Sequence, residues 1–196
     1  QEGFWSPQRA LESIRYHAPN NLDPNFEQLL GAVVDYLPKE YIREAASLAV
    51  ERARIPNSHD RSILRIAPQL ARTFPDEALR LTYDLPPEWL QFEYLVALLP
   101  HLEATRSQAA LDWAISITRQ QSPNGHANGM LVVANKLERD SPTRKSYYDE
   151  AWDQVPKLTE GEKQRNLMVH LITSGPADLA QVRLIDTLPT FLEQLE

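Results

Sequence analysis

Apolar residues recur along the chain at the three- and four-residue spacing of an amphipathic helix, whereas no segment alternates like a half-buried strand. The prolines, 15 in all against 6 glycines, lie mostly between the apolar segments, which is typical of helix boundaries. The pattern therefore predicts an all-α chain of helices joined by short turns. Five segments are alike: LLGAVVDYL (29–37), ILRIAPQL (63–70), LVALLPHL (95–102), MLVVANKL (130–137) and NLMVHLIT (166–173).

These five segments define a repeat when they are aligned on their last positions, 37, 70, 102, 137 and 173. The position eleven residues after the anchor is then large in every unit: Leu48, Leu81, Trp113, Tyr148 and Leu184. The position fifteen residues after it is apolar except in the first unit: Arg52, Leu85, Ile117, Trp152 and Leu188. We therefore predict a second helix in each unit, near residues 40–55, 75–85, 105–117, 142–155 and 177–188.

A single helix pair cannot cover its own apolar face, so successive pairs are expected to stack into one core. We predict one helical-repeat domain over residues 1–196, with Leu81, Trp113, Tyr148 and Leu184 buried. A cap over residues 1–25 would carry Leu11 and Ile14, and a cap over 189–196 would carry Phe191, Leu192 and Leu195. The predicted units are 26–55, 56–85, 86–117, 118–155 and 156–188.

The phrases IAPQLA (66–71) and LLPHLE (98–103) place Pro68 and Pro100 at the same repeat position. With these phrases, residues 26–188 resemble the α-solenoid repeats of the HEAT-like class, in which the first helix is bent at a proline. The resemblance implies a right-handed α-solenoid of about five stacked antiparallel helix pairs with N- and C-terminal caps. The period of about 34 residues also resembles the tetratricopeptide repeat, which is the alternative family.

Composition narrows the classes of partner and chemistry. The formal net charge is −7, from 20 basic and 27 acidic residues, and no run of Lys and Arg offers a surface for nucleic acid. No apolar stretch approaches the roughly 18 residues that would span a membrane. Because the chain has no cysteine, disulfides, thiolate zinc sites and cysteine nucleophiles are excluded. The chain begins at Gln1, which leaves a processed extracytoplasmic protein and a cytoplasmic one equally open.

The sequence contains no phosphate-binding glycine loop, zinc-protease motif or nucleophile elbow, so that no cofactor, metal site or catalytic residue is predicted. The five histidines lie in five different segments. His170 shares a repeat position with apolar residues and is expected to point inward. Asp149, Glu150 and Asp153 form an acidic cluster on a second helix, where we expect a solvated surface.

In solenoids of helix pairs the second helices usually line the concave face, so residues on them are the candidate partner contacts. The candidates combine both charge signs, small side chains and one tyrosine: Arg80, Asp84, Asp112, Ser116, Tyr147 and Arg183. Trp89 and Phe92 form a secondary candidate patch, either an exposed anchor or a surface covered by Phe4 and Trp5. The polar segment TRQQSPNGHANG (118–129) is expected to be a connector with a mobile backbone.

The repeat pattern and the lack of a convergent catalytic set favour a non-catalytic scaffold that binds a protein or peptide. One alternative is an all-helical enzyme that uses carboxylates and a histidine from separate helices. Another is a regulatory segment of a larger chain. The identity of the partner and the oligomeric state stay open at this point.

Overall fold

The computed structural model describes residues 26–55, 60–86, 88–139 and 141–183, together with residues 6, 9, 12, 13, 15 and 185. Every regular element within this part of the chain is helical, which confirms the predicted all-α class. The chain divides into two compact units, Gln1–Ala114 and Ile115–Glu196.

The helices lie where the repeat pattern predicts first and second helices. They are α1 (Phe26–Val33), α2 (Lys39–Ala53), α3 (Ser62–Thr73), α4 (Pro75–Leu81), α5 (Glu88–Leu98), α6 (Ala104–Arg119), α7 (Pro123–Lys136), α8 (Pro142–Trp152) and α9 (Gly161–Ser174). Residues 177–183 are also helical. Single 3₁₀ turns follow α1, α4, α5 and α8 at Val34–Tyr36, Thr82–Asp84, Leu99–His101 and Val155–Lys157. Proline begins α4, α7 and α8, where its missing N–H and fixed φ cost the helix nothing.

The core of the first unit is built around α3, which packs against α1, α2, α4 and α5. Ile63, Ile66 and Leu70 of this helix are fully buried, and Pro68 lies inside it. From α5, the buried Tyr94 donates its hydroxyl to the Ala78 carbonyl of α4 at 3.0 Å. This hydrogen bond satisfies the one polar group that the tyrosine brings into the core.

Arg52, the charged exception in an otherwise apolar repeat column, is buried in the first unit and only 4% exposed. Its Nε lies 2.7 Å from Asp60 Oδ2, and its guanidinium lies 4.3 Å above the centre of the Phe26 ring. The other oxygen of Asp60 accepts the Ser62 backbone N–H at 2.8 Å. A buried charge is tolerated here because it is paired and hydrogen-bonded.

In the second unit α7 packs against α8 and α9, and two glycines allow close approach. A Cβ at Gly129 would lie 2.4 Å from Thr118 Cγ2, and one at Gly175 would lie 2.5 Å from Tyr148 Cε2. The buried Tyr148 donates its hydroxyl to the Leu171 carbonyl at 3.0 Å, and the Gly175 N–H donates to the same carbonyl. The end of α9 is thereby fixed against α8.

The predicted connector over residues 118–129 is wrong. Helix α6 continues to Arg119 and α7 begins at Pro123, which leaves residues 120–122 as the turn between them. Ser122 caps α7 by accepting the Gly125 N–H on its hydroxyl, and Pro123 occupies the first helical position. Residues 123–129, whose composition suggests a mobile loop, form the first turns of α7.

Only some of the residues predicted to be buried are buried in the structure. Leu81 and Tyr148 are buried, whereas Trp113 is half-buried and stacks on Tyr83 with ring centres 4.3 Å apart. The inward orientation predicted for His170 is wrong, because α9 buries Leu167 and Leu171 and leaves His170 exposed. Several predicted positions lie outside the described residues: Phe4, Trp5, Leu11, Ile14, Leu184, Leu188, Phe191, Leu192 and Leu195.

Candidate functional site

The candidate contact residues of the first unit lie on or just after second helices. Arg80 is exposed at the end of α4. Asp84 is half-buried, and its Oδ1 lies 3.0 Å from Arg54 Nη2. Asp112 is exposed on α6 and accepts a 2.8 Å hydrogen bond from the Gln108 amide. Asp84 and Asp112 therefore already have partners within the unit.

The candidates of the second unit also lie on second helices. Ser116 is exposed near the end of α6, and Tyr147 is half-buried on α8. Arg183 is half-buried, and its Nη2 lies 2.5 Å from Asp149 Oδ1 on α8. The structure thus links Arg183 to the same helix that carries Tyr147.

The acidic cluster on α8 is paired with basic side chains rather than simply solvated. Glu150 accepts two 2.8 Å hydrogen bonds from Arg119 and lies 2.9 Å from His126 Nε2. The hydrogen bonds from Arg119 lower the pKa of Glu150 below its usual value. Burial alone would raise the pKa of Asp149, but hydrogen bonds from Lys145 and Arg183 outweigh it and lower that pKa. Asp153, the third member, is exposed.

The secondary patch on α5 contains one exposed aromatic ring. Trp89 is 37% exposed, and the Arg61 guanidinium lies 5.2 Å from the centre of its ring. Arg61 also pairs with Glu93 one turn further along α5, at 2.9 Å. Phe92 is half-buried. This contact gives Trp89 a cationic neighbour that belongs to the fold.

Sequence reasoning missed a groove of about 700 Å³ in the second unit. We call it the α7–α9 groove, because it is formed by the first halves of these two helices and by the turn that precedes α9. Six of its nine lining residues have polar side chains, although more of the lining surface is apolar than polar, and it carries little charge: Ser122, Pro123, Asn124, Asn128, Leu158, Lys163, Asn166, Leu167 and His170.

Helical periodicity places the groove side chains. Asn124 and Asn128 are four residues apart and therefore lie on one face of α7. On α9, Lys163, Asn166 and His170 share a face by the same rule. The two helices run in the same direction, because the Asn135 amide near the end of α7 donates to the Ser174 carbonyl at the end of α9, at 2.8 Å.

Local contacts fix the walls of the groove. Lys163 Nζ lies 2.6 Å from Glu160 Oε1, and the Gln164 amide donates to the Leu158 carbonyl at 2.6 Å. His170 Nδ1 lies 3.2 Å from Ser174 Oγ on the next turn. By contrast, the buried Oδ1 of Asn128 has no hydrogen-bond partner among the described residues. The groove therefore contains an amide whose hydrogen-bonding capacity is incompletely used.

The histidines of the described residues do not converge on one another. His101 Nδ1 lies 3.3 Å from Arg72 Nη2, and burial, together with that cation, lowers the pKa of His101. His126 contacts Glu150, whereas His170 lies on the α7–α9 groove. Over the described ranges, no three or more His, Asp or Glu side chains are grouped so that they could hold a metal ion.

The sequence does single out the segment 118–129 that contributes to the groove, but because of its loop-like composition and not as a helix face. The polar composition of residues 118–129 predicts a loop, yet the second half of this run supplies one wall of the groove. Two asparagines spaced by four are the signal that identifies a polar helix face, once the segment is known to be helical.

No protein-family model, curated protein or solved structure matches this chain. Within the described residues, none of the helices has the length and apolar character needed to cross a membrane.

Proposed function

We propose that this protein is a non-catalytic scaffold that binds a protein or peptide segment, with the α7–α9 groove as its main contact site. The observation that carries the proposal is the groove itself, about 700 Å³ lined mostly by uncharged hydrogen-bonding side chains. Pockets with a few polar groups set around apolar contacts are suited to binding. The nine lining residues include no carboxylate to pair with the groove's histidine in acid–base chemistry.

The enzyme alternative has weaker support. His126 and Glu150 form a carboxylate–histidine contact at 2.9 Å, the kind of pair that orients a catalytic base. However, Glu150 is also held by two hydrogen bonds from Arg119, and its pKa is lowered. A charged carboxylate can orient a histidine but is a weak general acid near neutral pH, and neither His126 nor Glu150 lines the α7–α9 groove.

We further propose a HEAT-like arrangement for the repeats. Side-chain pairs that join residues about one period apart support this proposal: Arg61 and Glu93 each lie nine positions before their anchors and pair at 2.9 Å. Arg43 and Glu77, each near the start of a second helix, pair at 2.6 Å. Charged pairs at matching positions are expected where like helices lie side by side.

The second-helix candidates are a secondary proposed surface. Among them Tyr147 is the natural anchor, because tyrosine offers apolar area, a hydroxyl and little rotamer entropy to lose. A partner at Asp84 or Arg183 would have to replace an existing ion pair with Arg54 or Asp149. This replacement is a cost that the α7–α9 groove does not impose at its asparagines.

The test is selection of ligands from a phage-displayed library of linear peptides on the immobilised 196-residue chain. Selected peptides would be synthesised with blocked ends and titrated calorimetrically, and their masses would be checked after incubation. We expect saturable one-to-one binding with the peptides recovered intact. A library that yields no saturable ligand, or peptides that are cleaved or modified, would contradict the scaffold proposal.

A further inference from the structure

We propose that the α7–α9 groove binds an extended peptide main chain about three residues long, and that Asn124, Asn128 and Asn166 recognise its N–H and C=O groups. This inference rests on the proposed function and specifies its ligand. It assigns recognition to the backbone of the peptide rather than to charged side chains.

The chemistry of the lining selects this ligand. Each carboxamide carries both a donor and an acceptor, which is also what every peptide unit presents. Among the lining residues Lys163 is the one fixed cation, and it is paired with Glu160. Phosphate groups are bound by clustered cations and metal ions by carboxylates, so that neither ligand fits this lining.

The spacing of the asparagines matches an extended chain. Four residues of α-helix rise about 6 Å, which separates Asn124 from Asn128 along the axis of α7. Two residues of extended chain cover about 6.6 Å, and main-chain groups two residues apart point to the same side of the peptide. A peptide lying along α7 therefore offers equivalent main-chain groups to both asparagines, while Asn166 faces it from α9.

The length of the groove sets the length of the bound peptide, and the apolar residues of the groove favour one apolar side chain on it. Lys163 and His170 are seven residues apart, or about 10 Å along α9, which corresponds to about three residues of extended chain. Leu158 and Leu167, together with Pro123, supply the apolar side chains of the lining. Because side chains of an extended chain alternate, one apolar side chain would contact these leucines while its neighbours point away.

The buried Oδ1 of Asn128, which accepts no hydrogen bond from the described residues, gives a reason for a peptide N–H to bind there. A buried acceptor without a donor is destabilising, and a ligand N–H removes that penalty. The terminal torsion of asparagine is broad, so that the carboxamide can rotate to meet the peptide. A ligand lacking main-chain N–H groups would not supply this hydrogen bond.

The experiment uses the blocked peptides selected above and the 196-residue chain. Their affinities would be measured for the wild type, for Asn124→Ala with Asn128→Ala, for Tyr147→Ala and for Gln108→Ala. Gln108 is the matched control, because it is an exposed carboxamide on α6 of the other unit. We expect roughly tenfold or weaker binding by the double variant and a change within about twofold for the Gln108→Ala control. Tyr147→Ala reports whether the second-helix surface takes part in binding.

A second arm leaves the protein unchanged and therefore does not depend on a variant folding. Peptides methylated at alternate main-chain nitrogens lose donors on one edge only. We expect one of the two methylation patterns to weaken binding by about tenfold and the other to have little effect. Binding that is unaffected by both the asparagine substitutions and methylation overturns this inference but leaves the scaffold proposal standing. Loss of binding in Tyr147→Ala alone moves the site to the second-helix surface, whereas a library without ligands overturns both proposals.

Discussion

Two arginine–carboxylate pairs, one in each unit, differ sharply in burial. In the first unit the side chains of Arg52 and Asp60 are 5% and 7% exposed, whereas in the second unit those of Arg119 and Glu150 are 53% and 24% exposed. The donor–acceptor distances are nearly the same, at 2.7 and 2.8 Å. Burial, rather than geometry, therefore determines how strongly each pair is tied to the stability of its unit.

This difference has a functional consequence. A buried pair cannot be exchanged for contacts with a partner without opening the unit that contains it. The exposed pairs on α8 can be exchanged at low cost, because water already screens them. In the second unit such exposed pairs on α8 accompany the α7–α9 groove.

The largest expected effect is that of Arg52→Ala. Removing the guanidinium leaves the buried Asp60 carboxylate without its ion-pair partner, which should lower the free energy of unfolding by about 3–5 kcal/mol. Hydrogen exchange followed by mass spectrometry can localise the loss, and peptides from α1, α2 and α3 should lose most protection. Uniform loss over both units, or a loss below about 1 kcal/mol, would contradict the role assigned to this pair.

An intermediate effect is expected when both members are replaced. Arg52→Met with Asp60→Asn removes both charges but keeps an acceptor for the Ser62 N–H and a long side chain against Phe26. Because no uncompensated charge remains, the double variant should recover most of the stability lost in Arg52→Ala, to within about 2 kcal/mol of the wild type. Urea denaturation of the two variants in parallel measures the recovery. No recovery would mean that the shape of Arg52 matters more than its charge.

Acid should weaken the carboxylate pairs that Asp149 and Glu150 form on α8. The folded-state pKa values of Asp149 and Glu150 are lowered, so that their stabilisation is fully present above the unfolded values of about 4 and is lost as pH falls through the folded values. Thermal denaturation of the wild type between pH 6 and pH 3 should therefore show a decline that is shallower in Asp149→Asn with Glu150→Gln. Parallel pH profiles for the two proteins would argue against these carboxylates.

The smallest effect is expected for Arg119→Ala. The side chain of Arg119 is more than half exposed, so its loss should cost under about 1 kcal/mol despite two good hydrogen bonds to Glu150. Hydrogen exchange of peptides from α7 and α8 measures this loss in the same way as for Arg52→Ala. A loss of stability as large as that of Arg52→Ala would contradict the proposed difference between the buried Arg52–Asp60 pair and the exposed Arg119–Glu150 pair.

The sequence predicts the helices well because helical spacing and boundary prolines are local signals. It fails at 118–129, where capping by Ser122 and close packing of Gly129 on Thr118 outweigh a loop-like composition. It also marks Arg52 as an exception without showing that Asp60, eight residues later, neutralises it. The α7–α9 groove could not be predicted, because its shape depends on how two helices far apart in sequence are spaced.

The side-chain pairs between helices also bear on how the chain folds during synthesis. Among the pairs between successive first or second helices, the sequence separation ranges from 29 residues for Arg72 and His101 to 39 for Asn135 and Ser174. Each of these contacts closes a short loop, and the entropic cost of bringing the ends of such a loop together is modest. At ribosomal rates of about 5–20 residues per second, the partner of each helix emerges within a few seconds. The protein can therefore acquire packed helices in order from its N-terminal end, while later segments are still being translated.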